Sequence, residues 1–204
     1  MKDRQLIKQE EKLEPKGIVK IRSYKAGSFA LIAPIMDKAR ALLREHKKFE
    51  AMAMAQKAFD ILKGNQIGEE IVSHNLVMTG ANTGRDLIIQ ALNGFLVAPV
   101  YYSAINYGAI GTNNTAPAAA DTQLGTETAR TPVSWSQDVG FNQLQLQFFF
   151  SDGSLTNTTY YEFGTFVVGT ATPNSGKIFN HVLFSSPYVK TSGIDTTIEL
   201  DISL

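Results

Sequence analysis

The chain has 204 residues, 44% of them hydrophobic, with no cysteine and 19 basic residues balanced by 19 acidic ones. That length supports one large domain with a well-buried core, and the lack of cysteine excludes disulfides and thiolate metal sites. No apolar run reaches the roughly 18–20 residues of a membrane span. Met1–Lys16 is charged and lacks the apolar stretch of a secretion signal, so the expectation is a soluble product of a cell interior, without a membrane partner. The overall balance hides a split. Residues 1–63 hold 15 basic and 8 acidic side chains, a net of +7; residues 64–204 hold 4 and 11, a net of −7. One reading sets the two ends against different partners or against neighbouring copies; the other is a solvated basic helix beside a polar β domain.

In chain order, residues 1–16 read as a charged N-terminal arm, closed off by Pro15. Gly17–Lys25 has the residues of a strand. Ala26–Gly27 marks a turn, and Ser28–Ala33 a short apolar run able to pair back. Pro34–Lys63 is predicted to be one long amphipathic helix, opened by proline at its first position and closed at Gly64. Thirty residues of helix span about 45 Å, more than a compact β domain needs for cover. Its apolar stripe includes Leu42, Phe49, Met52 and Phe59, and His46 falls on the same seam. Arg40, Arg44, Lys47 and Lys48 lie mostly between stripe positions. These eight helix residues are the candidate contacts to neighbouring subunits.

After a linker at Asn65–Gly68, Glu70–Met78 reads as a strand, Thr79–Asn82 as a turn and Gly84–Asn93 as a short helix ending at Gly94. Tyr101–Ile110 carries β signals, and Gly111–Asp121 is a loop by composition. Further strands are predicted at Thr131–Trp135, Gln143–Phe150, Thr159–Val168, Lys177–Phe184 and Thr196–Leu204. Polar and apolar residues alternate cleanly along 143–148 and 197–202, giving each strand one polar and one apolar face. Many strands, few helices and regular turn signals point to a mainly β fold, an antiparallel β-sandwich spanning residues 17–204 with the helix 34–63 inserted.

Local signatures of catalysis are lacking. His46, His74 and His181 form no H-x-x-x-H or H-E-x-x-H pair. No G-x-S-x-G elbow and no phosphate loop is present. Asp121 and Glu127 lack the spacing of a calcium loop. No cofactor is implied, and the reading is non-enzymatic. The aromatics Tyr101, Tyr102, Tyr107, Trp135, Tyr160, Tyr161 and Tyr188 belong to a β core or, if exposed together, to a sugar-stacking surface. Leu124, Glu127 and Arg130 lie at steps of three. Either Glu127 and Arg130 form a partly exposed ion pair, or one of them reaches a neighbouring backbone; both arrangements pin the loop before the Thr131 strand.

A set of segments in order resembles a class of tailed-bacteriophage virion proteins. They are G-I-V-K-I (17–21), S-H-N-L-V-M-T-G (73–80), T-G-R-D-L-I-I-Q-A-L-N-G (83–94), Y-G-A-I-G-T (107–112) and D-T-Q-L-G-T-E-T-A-R (121–130). Y-E-F-G-T-F-V-V-G (161–169), F-N-H-V-L-F-S (179–185) and Y-V-K-T-S-G-I-D-T-T-I-E-L (188–200) complete it. The resemblance implies a structural β-sandwich of the neck, tail, baseplate or fibre attachment, made in the host cytoplasm and residing in the virion. Its expected partners are itself, as a homo-oligomer, and portal, tail or capsid subunits. Alternative readings are a capsid decoration or fibre-anchoring protein and a carbohydrate-binding module at the particle tip. Nucleic-acid binding by the basic N-terminal part is argued against by its interleaved acids.

Overall fold

The structure, a computed structural model, describes residues 16–79, 83–85, 87–88, 104–139 and 143–203. It is mainly β. Nine antiparallel strands form one curled half-barrel sheet, accompanied by two helices. The strands are β1 (Lys16–Lys25), β2 (Gln66–Val77), β3 (Ile105–Gly111), β4 (Glu127–Pro132), β5 (Trp135–Asp138), β6 (Gln143–Phe150), β7 (Thr159–Val167), β8 (Lys177–Val189) and β9 (Ile194–Ser203). They lie in the order β4-β3-β7-β8-β2-β1-β9-β6-β5. The expected pair of separate stacked sheets is thus replaced by one continuous sheet. The strand that joins its halves is β2, which pairs with β1 from Gln66 to Asn75 and with β8 at Leu76 and Val77.

Curling lets both halves use the same apolar core. Val19, Ile21, Phe148, Ile198 and Leu200 come from the first half (β2-β1-β9-β6-β5). Ile110, Phe163, Val182 and Phe184 come from the second (β4-β3-β7-β8). The alternation in β6 and β9 has the face predicted for it: Leu146, Phe148 and Phe150, with Ile198, Leu200 and Ile202, all point inward. Each such side chain contributes on the order of 1.5–3 kcal/mol by leaving water. Phe148 and Phe163 meet edge to face across the core, with centroids 5.4 Å apart. Tyr160 and Tyr188 also belong to this core and stack at 6.4 Å.

The single long helix expected at Pro34–Lys63 is two helices, α1 (Ser28–Arg44) and α2 (Lys48–Gly64). The break is a helix-ending motif without glycine. His46 adopts φ 60°, its N–H donates to Leu43 O, and the Lys47 N–H donates to Leu42 O. These are the paired bonds of a Schellman end, with histidine at the left-handed position that glycine usually takes. His46 is exposed there and not on an apolar seam. Pro34, expected to open the helix, lies inside α1. Ala30, whose carbonyl loses its amide partner, is exposed, as is Pro34, so water can serve that oxygen. Helix α1 instead starts six residues earlier, because Asp195 Oδ2 of β9 accepts the Phe29 N–H at 3.1 Å.

Other boundaries shift in smaller ways. The predicted linker 65–68 is largely strand. The predicted strand at Thr131–Trp135 is two edge strands, β4 and β5, meeting at Val133–Ser134. Residues 84, 85, 87 and 88 are helical. The rest of the helix expected at 84–93, the arm 1–15, Tyr101 and Tyr102 lie outside the described residues. No helix among the described residues is long and apolar enough to cross a membrane.

Gly108 of β3 is where two core rings approach the backbone. A Cβ there would come within 2.6 Å of Phe148 and 2.8 Å of Phe163. Gly108→Ala is expected to lower stability by about 1–3 kcal/mol through overpacking, measured as a lower urea midpoint with unchanged slope; an unchanged midpoint would show that the rings give way freely.

Candidate functional site

Helices α1 and α2 form a hairpin over the outer face of the first half-sheet. It is held by apolar side chains: Ile32, Met36, Ala55 and Leu62 pack with Tyr24 of β1, Trp135 of β5 and Phe149 of β6. Phe29 stacks on Phe149 at 4.9 Å, and Phe59 meets Trp135 edge-on at 6.5 Å. Two polar ties complete the docking. Arg40 donates to Ser134 O at 2.8 Å, and Lys48 pairs with Asp138 at 3.2 Å.

The eight candidate contact residues therefore divide. Phe59 and Arg40 dock the hairpin on its own sheet. Lys48 and Met52 line a groove of about 230 Å³ beside Trp135 and Leu144. Leu42 is half-buried, whereas Arg44, Lys47 and Phe49 are exposed at the hairpin tip, and Lys47 pairs with Glu45. Phe49 is 90% exposed, and Leu43, which lines the groove, is 38% exposed.

Behind the aromatic seam, α2 stands off from the polar faces of β6 and β9, and a cleft of about 510 Å³ opens between them. Its floor is a cross-strand ladder. Gln137 donates to Gln145, which donates to Asp201; Gln147 donates to Glu199. Lys20 reaches Glu199 at 2.9 Å and Asp201 at 2.6 Å. Arg22 reaches Glu199 at 3.0 Å and Glu70 at 2.8 Å. Glu70 is placed by a bulge in β2 that includes Gly68 at φ 69°. Burial pushes the Glu199 carboxyl up, but hydrogen bonds from Arg22 and Lys20 outweigh it and hold the group below its ordinary range. Part of the charge split of the sequence meets inside the molecule, where Lys20 and Arg22 of β1 pair with acids of β9 and β2.

On the second half-sheet the cover is a loop, residues 112–126. Its anchor is Glu162 of β7, fully buried. The carboxylate accepts N–H bonds from Asn113, Gly125 and Thr126 at 3.3, 3.0 and 2.8 Å, and lies 2.8 Å from His181 Nε2. His181 Nδ1 lies 2.9 Å from Asp121 of the loop itself. Burial raises the Glu162 carboxyl, and the His181 and amide bonds more than reverse this, leaving it below the ordinary range. Both ring nitrogens of the buried histidine are engaged, so neither is open to a substrate proton. The constellation holds Leu124 against Ala109, Phe166 and Ile178. Neither Glu162 nor His181 stood out in the sequence; the buried glutamate in Y-E-F-G-T-F was the one available sign.

Glu127 and Arg130 are joined at both ends, Nε to Oε1 at 2.5 Å and Nη2 to Oε2 at 2.6 Å. The pair was expected partly exposed, but its side chains are only 1% and 3% exposed. Arg130 lies 4.8 Å from the centroid of the Phe166 ring and also donates to Ser175 and Thr170; Glu127 accepts the Asn174 N–H. Both residues lie in β4 rather than in the loop before it, and the pair fastens the β7–β8 turn to that strand. Among the described residues no group of three His, Asp or Glu side chains is arranged to hold a metal. No family model matches the sequence, and neither a curated protein nor a solved structure matches the chain.

Two outcomes follow from this chemistry. Arg130→Ala leaves Glu127 buried and unpaired, and is expected to cost about 3–5 kcal/mol in denaturant unfolding; Arg130→Lys, with charge but no fork, should recover only part. Glu162 and Glu199 both titrate lower when folded than their ordinary 4.5. Their contribution is full above about pH 4.5 and is lost as pH falls through the folded values. Unfolding free energy should therefore drop steeply below pH 4.5, and less steeply in Glu162→Gln; identical acid profiles would remove Glu162 from this role.

Proposed function

We propose that this chain is a non-enzymatic structural subunit of a tailed-phage virion, at the neck, tail or baseplate, which associates with copies of itself and with neighbouring virion proteins. The observation that carries the reading is the hairpin tip. Phe49, 90% exposed, lies in the first turn of α2, one residue after Lys48 of the groove that Leu43, Met52, Trp135 and Leu144 line. A large apolar side chain so placed lowers its free energy when another surface covers it. The formal net charge of zero removes long-range repulsion between copies. A two-fold contact seats Phe49 of each copy in the groove of the other.

The buried ionisable groups support the same reading. Glu162, His181, Glu127 and Arg130 all hold loops and turns in place, which suits a rigid building block. The virion address itself rests on the ordered sequence resemblance from residue 17 to 200. A wall of pre-set loops on a curled sheet, with one projecting apolar tip, is compatible with repeated packing around an axis.

Phe49→Glu tests the contact without touching the core. By light scattering and sedimentation, the parent chain is expected to run as an oligomer and the variant as a folded monomer, with unchanged circular dichroism because residue 49 is exposed and outside the core. A parent chain that stays monomeric, or a variant that still associates, would overturn the self-assembly reading. Mass spectrometry of purified particles of the encoding phage is expected to find the chain; its absence would overturn the virion address.

A further inference from the structure

We infer that the cleft between α2 and the polar faces of β6 and β9 is a binding site for a neutral, hydroxyl-rich ligand, of the chemical class of an oligosaccharide. The inference is independent of the self-association described above and uses none of the tip residues. The cleft, about 510 Å³, falls in the range of small-molecule sites, about 300–1,000 Å³. Its floor is set before any ligand arrives, since Gln137 is bonded to Gln145, Gln145 to Asp201 and Gln147 to Glu199. A side-chain amide both donates and accepts, as a sugar hydroxyl does.

Gln147 is the sharpest feature. It lines the cleft, is 5% exposed and donates through Nε2 to Glu199, while its Oε1 is buried without a partner among the described residues. A buried acceptor normally has a donor, and the cleft that Gln147 lines is the open space beside it. Charge narrows the choice of donor. Arg22 and Lys63 line the cleft together with Asp60, Glu70 and Glu199, and Arg22 is already held between Glu199 and Glu70. A phosphate would face three carboxylates, and a cation would face a guanidinium and an ammonium. A neutral hydroxyl meets neither penalty. Phe59, fixed edge-on against Trp135, supplies apolar surface for the C–H face of a sugar ring. The sugar-stacking surface imagined from tyrosines has a different fate, since Tyr160 and Tyr188 are buried in the main core.

The test is an array of neutral oligosaccharides built from glucose, galactose, mannose and N-acetylglucosamine, beside sulfated and sialylated glycans and ATP, with titration calorimetry on the hits. One or more neutral glycans should bind, with affinity insensitive to salt. Gln147→Leu should weaken that binding at least about tenfold, as expected when a site loses a hydrogen bond to the ligand. Gln56→Ala, on the exposed rim of α2, should weaken it while leaving the melting temperature unchanged, and serves if the buried variant does not fold. Phe49→Glu should leave it intact, which separates this site from the assembly contact. Silence across all neutral glycans, preference for the charged ligands, or binding that survives both glutamine variants would overturn the assignment.

Discussion

The antiparallel pairing of the first described strand with the last is the constraint on which the molecule depends. Lys16 faces Ser203 and Lys25 faces Ile194, with eight aligned pairs between them. Closing so long a stretch of chain costs entropy that only many cooperative contacts can offset. The inward row of Val19 and Ile21 against Ile198, Leu200 and Ile202 provides them. The outward row does something different. It sets Lys20 and Arg22 beside Glu199 and Asp201, so that two basic residues of the first part of the chain meet two acidic ones of the last. The same strand pair also delivers Asp195 to the start of α1.

A curled sheet with one shared core leaves two outer faces to be dealt with, and the chain treats them differently. The hairpin lies over the first through a seam of aromatic rings, leaving the polar ladder of β6 and β9 at the bottom of a cleft. The second is covered by loop 112–126, drawn down by the Glu162 carboxylate. A buried carboxylate is stable only when its lone pairs are engaged. Three loop amides and the β8 histidine engage it here, so lifting the loop would strip the carboxylate of three hydrogen bonds. Arg130 and Glu127 act likewise on the β7–β8 turn, and the flanking rings of Phe166 and Tyr107 keep water from the pair.

Such a molecule invests its ionisable groups in shape. The rigid sheet presents the hairpin tip in one orientation, which is what a repeating contact requires. The cleft on the inner side of α2 is formed by the same helix whose N-terminal turn carries the tip. A subunit that packs through an apolar tip and holds a polyol under the same helix would bring surface recognition and assembly onto one element.

Much of the fold was readable along the chain because strands with one buried face announce themselves by alternation. Gln143–Phe150 and the stretch 197–202 had the right faces, and the opening strand ended at Lys25 as read. Glu127 and Arg130 were within reach because they stand only three positions apart in the chain. The helical break at His46 was not readable, since neither glycine nor proline marks it and only the backbone dihedral of a histidine makes it. The start of α1 depends on Asp195, whose position relative to Phe29 is set by strand pairing. Whether two sheets stack or one sheet curls was equally beyond local pattern, because both bury the same alternating residues; the passage of β2 from β1 to β8 decided it. The cleft and the Glu162–His181–Asp121 anchor arise from residues far apart in sequence. Alternation fixes which way a side chain points, whereas the partner it meets is chosen only when distant strands close on one another.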